Sequence, residues 1–501
     1  MRRIVCLLPV FISLFLSSCG GGGDSNVAAT APVPLVAPGS PAASPTSPAA
    51  PVAGSIAPPV LPLSGYPGDP VSCTVAGQKL WLDAYMADQY FWSANRPAPN
   101  SAAANADAYF RSQLFVPTDR YSFSQELAQF TQFFSEGTRT GYGYSLAFAD
   151  STQTKLQIRT VEPLSPVAAA GLQRGDTILS IDGFSPSNVA SGSLTAVTTS
   201  GITRSFSIQT VAGTTRSFNV VSRNFVLSPV LNDSVLTAAT GAKVGYVAYQ
   251  DFTSSSLTAL GAAFNRFRSA GVTELIVDLR YNGGGSVTVA RALASMIGGA
   301  ALEGKVFAKI RFNAQNRASD FDYAFVSTRA SLPALPLEGL TRVFFITSPG
   351  TASASELVVN SLYPFKRVVT IGGTTFGKPF GFQPRSACDT VYNAVNFETF
   401  NAADSGRFTS GLPANCSVAD DLNKALGDPT EKRIAAALGY VQSESCPAAA
   451  AKPAFIDLQA TKLNDSVGDI NRAQAATSSV ATPRFMEPAF GELNRPRMIA
   501  D

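Results

Sequence analysis

Apolar residues recur at helical spacing through residues 73–139, the first patterned part of the chain. KLWLDAYMADQYFW sets Leu80, Leu82, Tyr85, Met86 and Tyr90 where they can share one face of a helix. Two more amphipathic runs, ANADAYFRSQLF and SQELAQFTQFFSEG, complete a small helical N-terminal domain whose aromatics read as core. Over residues 140–225 the period shortens to that of strands: GYGYSLAFA, LQIRTV and DTILSIDGF are short apolar runs parted by glycine, proline and aspartate turns, with SPVAAAGLQRG as a short helix among them. From residue 226 to 446 strands and helices alternate. GAKVGYVAYQDF and TELIVDLRY predict strands, with a helix between them that carries Leu257, Leu260, Phe264 and Phe267 on one stripe. SVTVARALASMIG predicts a helix, VFAKIRF and RVFFITS predict strands, and DPTEKRIAAALGYVQ predicts a last helix. Such alternation builds an α/β domain on a parallel or mixed sheet. Residues 447–501 lack periodicity and predict a disordered tail.

Composition adds what periodicity leaves out. At 501 residues the chain is long enough for two or three domains. Net charge is +3 with no basic cluster, which excludes nucleic acid as a partner. Residues 1–19 combine an arginine pair, a short apolar core and small residues before a cysteine, the layout of a secretory signal. Its end, Leu16-Ser17-Ser18-Cys19, resembles the lipobox of bacterial lipoproteins. That resemblance implies lipidation of Cys19 and a periplasm-facing anchor, and Gly20 to Gly23 after it lean toward the outer membrane. Residues 20–72 are dominated by Gly, Ala, Pro, Ser and Val, carry two charges, Asp24 and Asp69, and predict an extended, disordered tether. Cys73, Cys388, Cys416 and Cys446 remain for the exported part. An even number in an oxidising compartment suggests two disulfides, with Cys388–Cys416 and Cys73–Cys446 the preferred pairs and free thiols the alternative. Their scattered spacing does not resemble a zinc site, and no metal or cofactor is expected.

The candidate chemistry centres on TASASELVVNSLYPFKRVVTIGGTTFGK, Thr351 to Lys378. The chain has no histidine, so a Ser/His/Asp triad is excluded and a nucleophilic Ser353 would need lysine as its base. Burial lowers a lysine's pKa, and Phe376 and Phe380 flank Lys378 in sequence. Ser355 is a competing nucleophile, but the spacing to Lys378 favours Ser353. A second turn, DLRYNGGG from Asp278 to Gly285, follows a predicted strand and precedes a helix. It carries neither a P-loop nor a dinucleotide fingerprint, and an oxyanion-stabilising role fits it better.

Signal, helical domain, SPVAAAGLQRGDTILSIDG, DLRYNGGG, TASASE and TFGK occur in the order found in the C-terminal processing peptidases, or tail-specific proteases, over about residues 75–445. The resemblance implies a crotonase/ClpP-like α/β catalytic domain, residues 226–446, with a PDZ domain at residues 140–225. By the same resemblance Ser353 is the nucleophile, Lys378 the general base, and the amides of Gly284 and Ala354 the oxyanion hole. Glu356 and Gln383 compete to orient Lys378, and GKPFGFQ places Gln383 one residue later than the family's usual glutamine. Gly141, Tyr142, Gly143 and Tyr144 resemble the PDZ loop that binds a terminal carboxylate. The implied function is a serine endopeptidase acting on unfolded or C-terminally exposed envelope proteins. The alternatives are a non-catalytic peptide- or ligand-binding lipoprotein that keeps the fold, and a tethered protein that binds the glycan envelope.

Overall fold

The computed structural model describes residues 68, 70, 72–149, 154–195, 197–326, 332–340 and 342–447, and the backbone of 497–499. All of them belong to one compact unit, Ala53–Asp501. The signal with Cys19, the tether apart from residues 68, 70 and 72, and the tail apart from residues 447 and 497–499 lie outside the described residues. Among the described residues no helix is long and apolar enough to cross a membrane.

The α/β expectation is met by a six-stranded mixed sheet. Its order is Cys416–Ser417, Arg367–Gly372, Arg342–Thr347, Glu274–Asp278, Lys243–Tyr249 and Val230–Thr237. The first five are parallel and the last is an antiparallel edge. Strands covered on both faces carry a continuous apolar run, as Val343 to Ile346 do within Arg342–Thr347, all six of whose residues are buried. Successive side chains point to opposite faces, so Val343 and Phe345 join a core with the helices Ser256–Ala270, Val287–Gly298 and Ala354–Leu362. Phe344 and Ile346 join a second core with Ile434, Ala437 and Val441 of the helix Lys432–Ser443. The predicted stripe on Ser256–Ala270 buries Leu260, Phe264 and Phe267, with Leu257 half-buried at its margin.

Two neighbouring parallel strands end side by side. Asp278 pairs with Ile346, so the turn after Asp278 and the turn after Thr347 leave the same edge of the sheet. In open α/β sheets, sites form in the crevice beyond the carboxyl ends of the strands.

A separate five-stranded antiparallel sheet is formed by Tyr144–Phe148, Leu156–Val161, Thr177–Ile181, Thr203–Gln209 and Thr215–Val221, in chain order. It has its own core around Leu146, Ile158, Ile178, Phe206 and Ile208. Tyr144–Phe148 lies at its edge.

The N-terminal helices share a core with a distant hairpin. Trp81, Tyr85 and Phe110 pack with Ala387, Tyr392 and Ala394, while the strand Phe123–Glu126 pairs with Thr390–Asn393. One residue of the predicted helical face is misplaced: Leu80 is 71 % exposed, and Trp81 turns inward instead. The helix Val75–Gln89 buries Gly77, Trp81, Leu82, Tyr85, Met86 and Gln89, a stripe that Leu80, two residues before Leu82, cannot share at about 100° per residue. The expected disulfide pairs are also corrected. Cys73 is bonded to Cys388 and Cys416 to Cys446. The first follows from the shared core, which brings the start of the N-terminal helix to the hairpin turn. The second follows because Cys416 sits on the outer strand of the main sheet and Cys446 just beyond the helix that covers the same face.

Candidate active site

Ser353 is the residue before the helix Ala354–Leu362 and has φ 61° and ψ −115°. A positive φ in a residue with a Cβ is strained, and the packing of the helix on the sheet holds it there. Its side chain is fully buried, and its Oγ has no hydrogen-bond partner among the described residues. Ser355 behaves differently, since its Oγ donates to the Asn282 carbonyl at 3.0 Å. It ties the two turns together.

Glu356 organises the centre. It has no exposed surface, and its carboxylate accepts from the Ser353 and Lys378 amides, both at 2.8 Å on Oε2. The two backbone nitrogens therefore lie no farther apart than twice that distance. Oε1 accepts from the Gly377 amide at 2.7 Å and from the Thr375 hydroxyl. Burial pushes the Glu356 carboxyl up, and these four donors only partly offset it. The carboxylate thus positions the main chain at both Ser353 and Lys378.

Lys378 is also fully buried, with its Nζ 4.2 Å from the centre of the Phe382 ring. Phe382, rather than the flanking Phe376 and Phe380, is therefore the aromatic face under the ammonium. Phe376 and Phe380 instead pack with Tyr121, Phe91 and Trp92. Gln383 is engaged with Asn396, whose Oδ1 accepts from the Gln383 amide at 3.2 Å. Gly377 is needed where it stands: its φ is 86°, and a Cβ there would sit 2.3 Å from the Thr409 carbonyl oxygen.

The second turn is knitted to the first by Asn282. Its carbonyl accepts from the Ala352 amide at 3.1 Å as well as from Ser355, and its side-chain amide donates to the Tyr249 carbonyl at 3.0 Å. Its Oδ1 accepts from the Gly284 amide at 2.9 Å. Of the two expected oxyanion donors, Ala354 is the first residue of its helix, where an amide has no partner within the helix. Gly284 is held by Asn282 and would have to exchange that bond for one to an oxyanion.

Several participants carried no signal in the sequence. Arg120 lies far from Lys378 along the chain, yet its Nη2 donates to the carbonyls of Phe376 and Thr409 at 3.1 and 2.9 Å. Its guanidinium also stacks on Phe376, and the Tyr121 hydroxyl donates to the Gly377 carbonyl at 2.8 Å. Thr375 and Asn282 lay inside the motifs, where a polar residue next to glycines was the available clue.

Behind the second turn is a buried ionic cluster. Arg280 is 1 % exposed and bonds Asp278, Asp420 and Glu431. Arg174, from the turn between Leu156–Val161 and Thr177–Ile181, donates to Asp420 at 2.9 Å and to the Tyr281 hydroxyl at 2.7 Å. Burial works to raise the Asp420 carboxyl, but Arg433, Arg280 and Arg174 override it and hold it well below the usual range.

The loop expected to bind a carboxylate lies at the edge strand of the five-stranded sheet. The Gly143 carbonyl accepts from the Glu162 amide at 2.9 Å, and the Tyr142 carbonyl from the Val167 amide at 3.2 Å. Tyr142 and Tyr144 are buried, and the Tyr142 hydroxyl donates to the Ile202 carbonyl at 3.0 Å. Gly141 ends the strand Thr138–Gly141, opposite Arg223.

Residues 243–411, which contain both turns and Lys378, match the family model of peptidase family S41. The chain is 28 % identical over 219 residues to the carboxyl-terminal-processing protease of Picosynechococcus sp., covering 43 % of this chain and 49 % of that protein. A chloroplastic C-terminal processing peptidase of Tetradesmus obliquus is 24 % identical over 258 residues, 48 % of this chain and 52 % of its own. The chain spans about half the length of the curated relatives it matches. A crystal structure assigned to an S41 protease of Bacteroides fragilis superposes with a TM-score of 0.60 at 25 % identity, covering 73 % of this chain and 97 % of that one.

Proposed function

We propose that the chain is a serine endopeptidase that cleaves unfolded or C-terminally exposed proteins through Ser353 and Lys378. The observation that carries this reading is the single buried carboxylate of Glu356, which holds the backbone of both residues. Lys378 accepts the Ser353 hydroxyl proton as Oγ bonds to the substrate's carbonyl carbon. The resulting oxyanion is met by the Ala354 amide, and by Gly284 once it leaves Asn282. Lys378 returns the proton to the departing amine as the C–N bond breaks, leaving an ester on Ser353. Water then attacks the ester as Lys378 takes its proton, the bond from the acyl carbon to Oγ breaks to release the carboxyl product, and Lys378 returns the proton to Ser353 Oγ. Fixed amides act without reorganising, and losing one such donor typically costs about 10²- to 10³-fold in rate.

The five-stranded unit supports a PDZ reading. An edge strand preceded by Gly141-Tyr142-Gly143 suits an extended peptide that adds to Tyr144–Phe148 and ends in a carboxylate. With Cys19 lipidated, the enzyme would work on envelope proteins from a membrane anchor facing the periplasm. The engagement of Gly284 by Asn282 favours a second reading, a non-catalytic peptide-binding protein that keeps this fold.

A fluorophosphonate probe with an unfolded test protein separates the two. Hydrolysis that vanishes in Ser353→Ala, with labelling that requires Lys378, is the expected result, and the circular dichroism spectrum should not change. Hydrolysis that survives in Ser353→Ala would remove the assignment.

A further inference from the structure

The segment Arg497–Ile499 forms a strand parallel to Gly284–Ser286, with Arg497 opposite Gly284, Met498 opposite Gly285 and Ile499 opposite Ser286. On its other side Gly284–Ser286 meets Phe252. The Phe252 amide donates to the Gly284 carbonyl at 3.2 Å, and the Ser286 amide to the Phe252 carbonyl at 2.8 Å. The polar backbone groups of successive strand residues point to opposite sides. Those of Gly284 and Ser286 face Phe252, so those of Gly285 face the segment 497–499. Gly285 permits the arrangement, because a Cβ there would stand 2.4 Å from the Phe252 carbonyl oxygen. The segment also lies against the helix Ala354–Leu362, which starts at Ser353, and the strand Phe380–Gly381, which follows Lys378. An extended polypeptide is thus bounded by the glycine turn, the serine-bearing helix and the strand after the lysine.

We propose that Arg497–Ile499 is a resident occupant of the cleft in which substrate strands lie, and that it competes with substrate for Gly285. The proposal rests on the peptidase reading above and names the occupant of that site, a segment of the same chain. Main-chain pairing is indifferent to side chains, so another extended polypeptide can take the same place. A two-stranded pairing is marginal by itself, which makes the segment displaceable. Carriage on the same chain raises its effective concentration to roughly the millimolar range, enough to keep a weak ligand in place.

Two variants test this, one lacking residues 497–501 and one with Ile499→Pro, which removes the N–H that faces the Gly285 carbonyl without shortening the chain. With an unfolded test protein, both should lower KM about tenfold and leave kcat unchanged. The peptide GELNRPRMIAD should inhibit the shortened enzyme competitively. Its fluorescent form should bind the shortened chain carrying Ser353→Ala about tenfold more tightly than the full chain with the same substitution. Equal KM values in an enzyme that hydrolyses, or equal peptide binding by the short and full chains, would overturn the proposal. Loss of both hydrolysis and serine labelling in the full chain would instead overturn the peptidase reading, while the binding comparison still decides the occupant.

Discussion

Glu356 shows how one buried carboxylate can fix the main chain of two turns at once. Its two oxygens are saturated by four donors, three of them main-chain amides on the serine and lysine turns. A glutamine has one acceptor oxygen, so Glu356→Gln would turn an NH₂ group toward two donors that now have an acceptor. Each buried donor left unsatisfied costs about 1–3 kcal/mol. We expect Glu356→Gln to fold, to lose kcat by about 10²-fold and to keep KM nearly unchanged, as steady-state kinetics would show. A fall in thermal stability with unchanged kcat would assign Glu356 to the fold alone. The residue was legible in the sequence as a candidate to orient Lys378. That it acts on the backbone of Lys378, and that Gln383 pairs with Asn396, was not, because hydrogen-bond partners depend on how two loops approach.

At the scale of elements, the Lys378 turn is held from outside the α/β sheet. Arg120 caps the carbonyls of Phe376 and Thr409, and the segment that carries it leads into the strand Phe123–Glu126, paired with Thr390–Asn393. The Cys73–Cys388 bond closes a separation of 315 residues between the first helix and the same hairpin. Cross-links over long loops stabilise mainly by restricting the unfolded chain, typically by about 2–4 kcal/mol. The double variant Cys73→Ser, Cys388→Ser should therefore lower the free energy of unfolding by about 2–4 kcal/mol in urea titrations, with kcat falling less than in Glu356→Gln. An unchanged urea midpoint would show that the shared core of Trp81, Phe110 and Tyr392 suffices. Helices and strands were legible wherever one face was consistently apolar, as in Ser256–Ala270. Leu80 misled because an apolar residue at the margin of a stripe reads the same whether it faces core or water.

For the whole molecule, the Arg280 cluster joins the five-stranded unit to the main sheet through Arg174 and Asp420. Asp420 and Glu431 have carboxyls held below their ordinary values of 3.8 and 4.5, by their arginine partners against the effect of burial. A depressed folded pKa stabilises above the unfolded value and loses that contribution as pH falls toward the folded one. Stability should accordingly be level above about pH 5.5 and decline as the pH drops through about 4.5 and 3.8. Glu356, with its carboxyl raised, acts in the opposite sense and blunts the decline. Urea midpoints across pH 3 to 6 check this, with the expected outcome a steep acid limb that flattens in Asp420→Asn; that variant should also be less stable at neutral pH, by roughly 3–5 kcal/mol, because it leaves buried arginines uncompensated. The sequence by itself determined the α/β alternation, the lack of histidine that leaves lysine as the available base, and the two glycine-bearing turns. These are properties of local periodicity and residue chemistry, written in consecutive positions. Only the tertiary structure decided the cysteine pairing, the joining of serine and lysine turns through Glu356, the reach of Arg120 to the lysine loop and the seating of residues 497–499 on Gly284–Ser286. Each depends on which distant segments the parallel crossovers and shared cores bring together, and no local pattern encodes that.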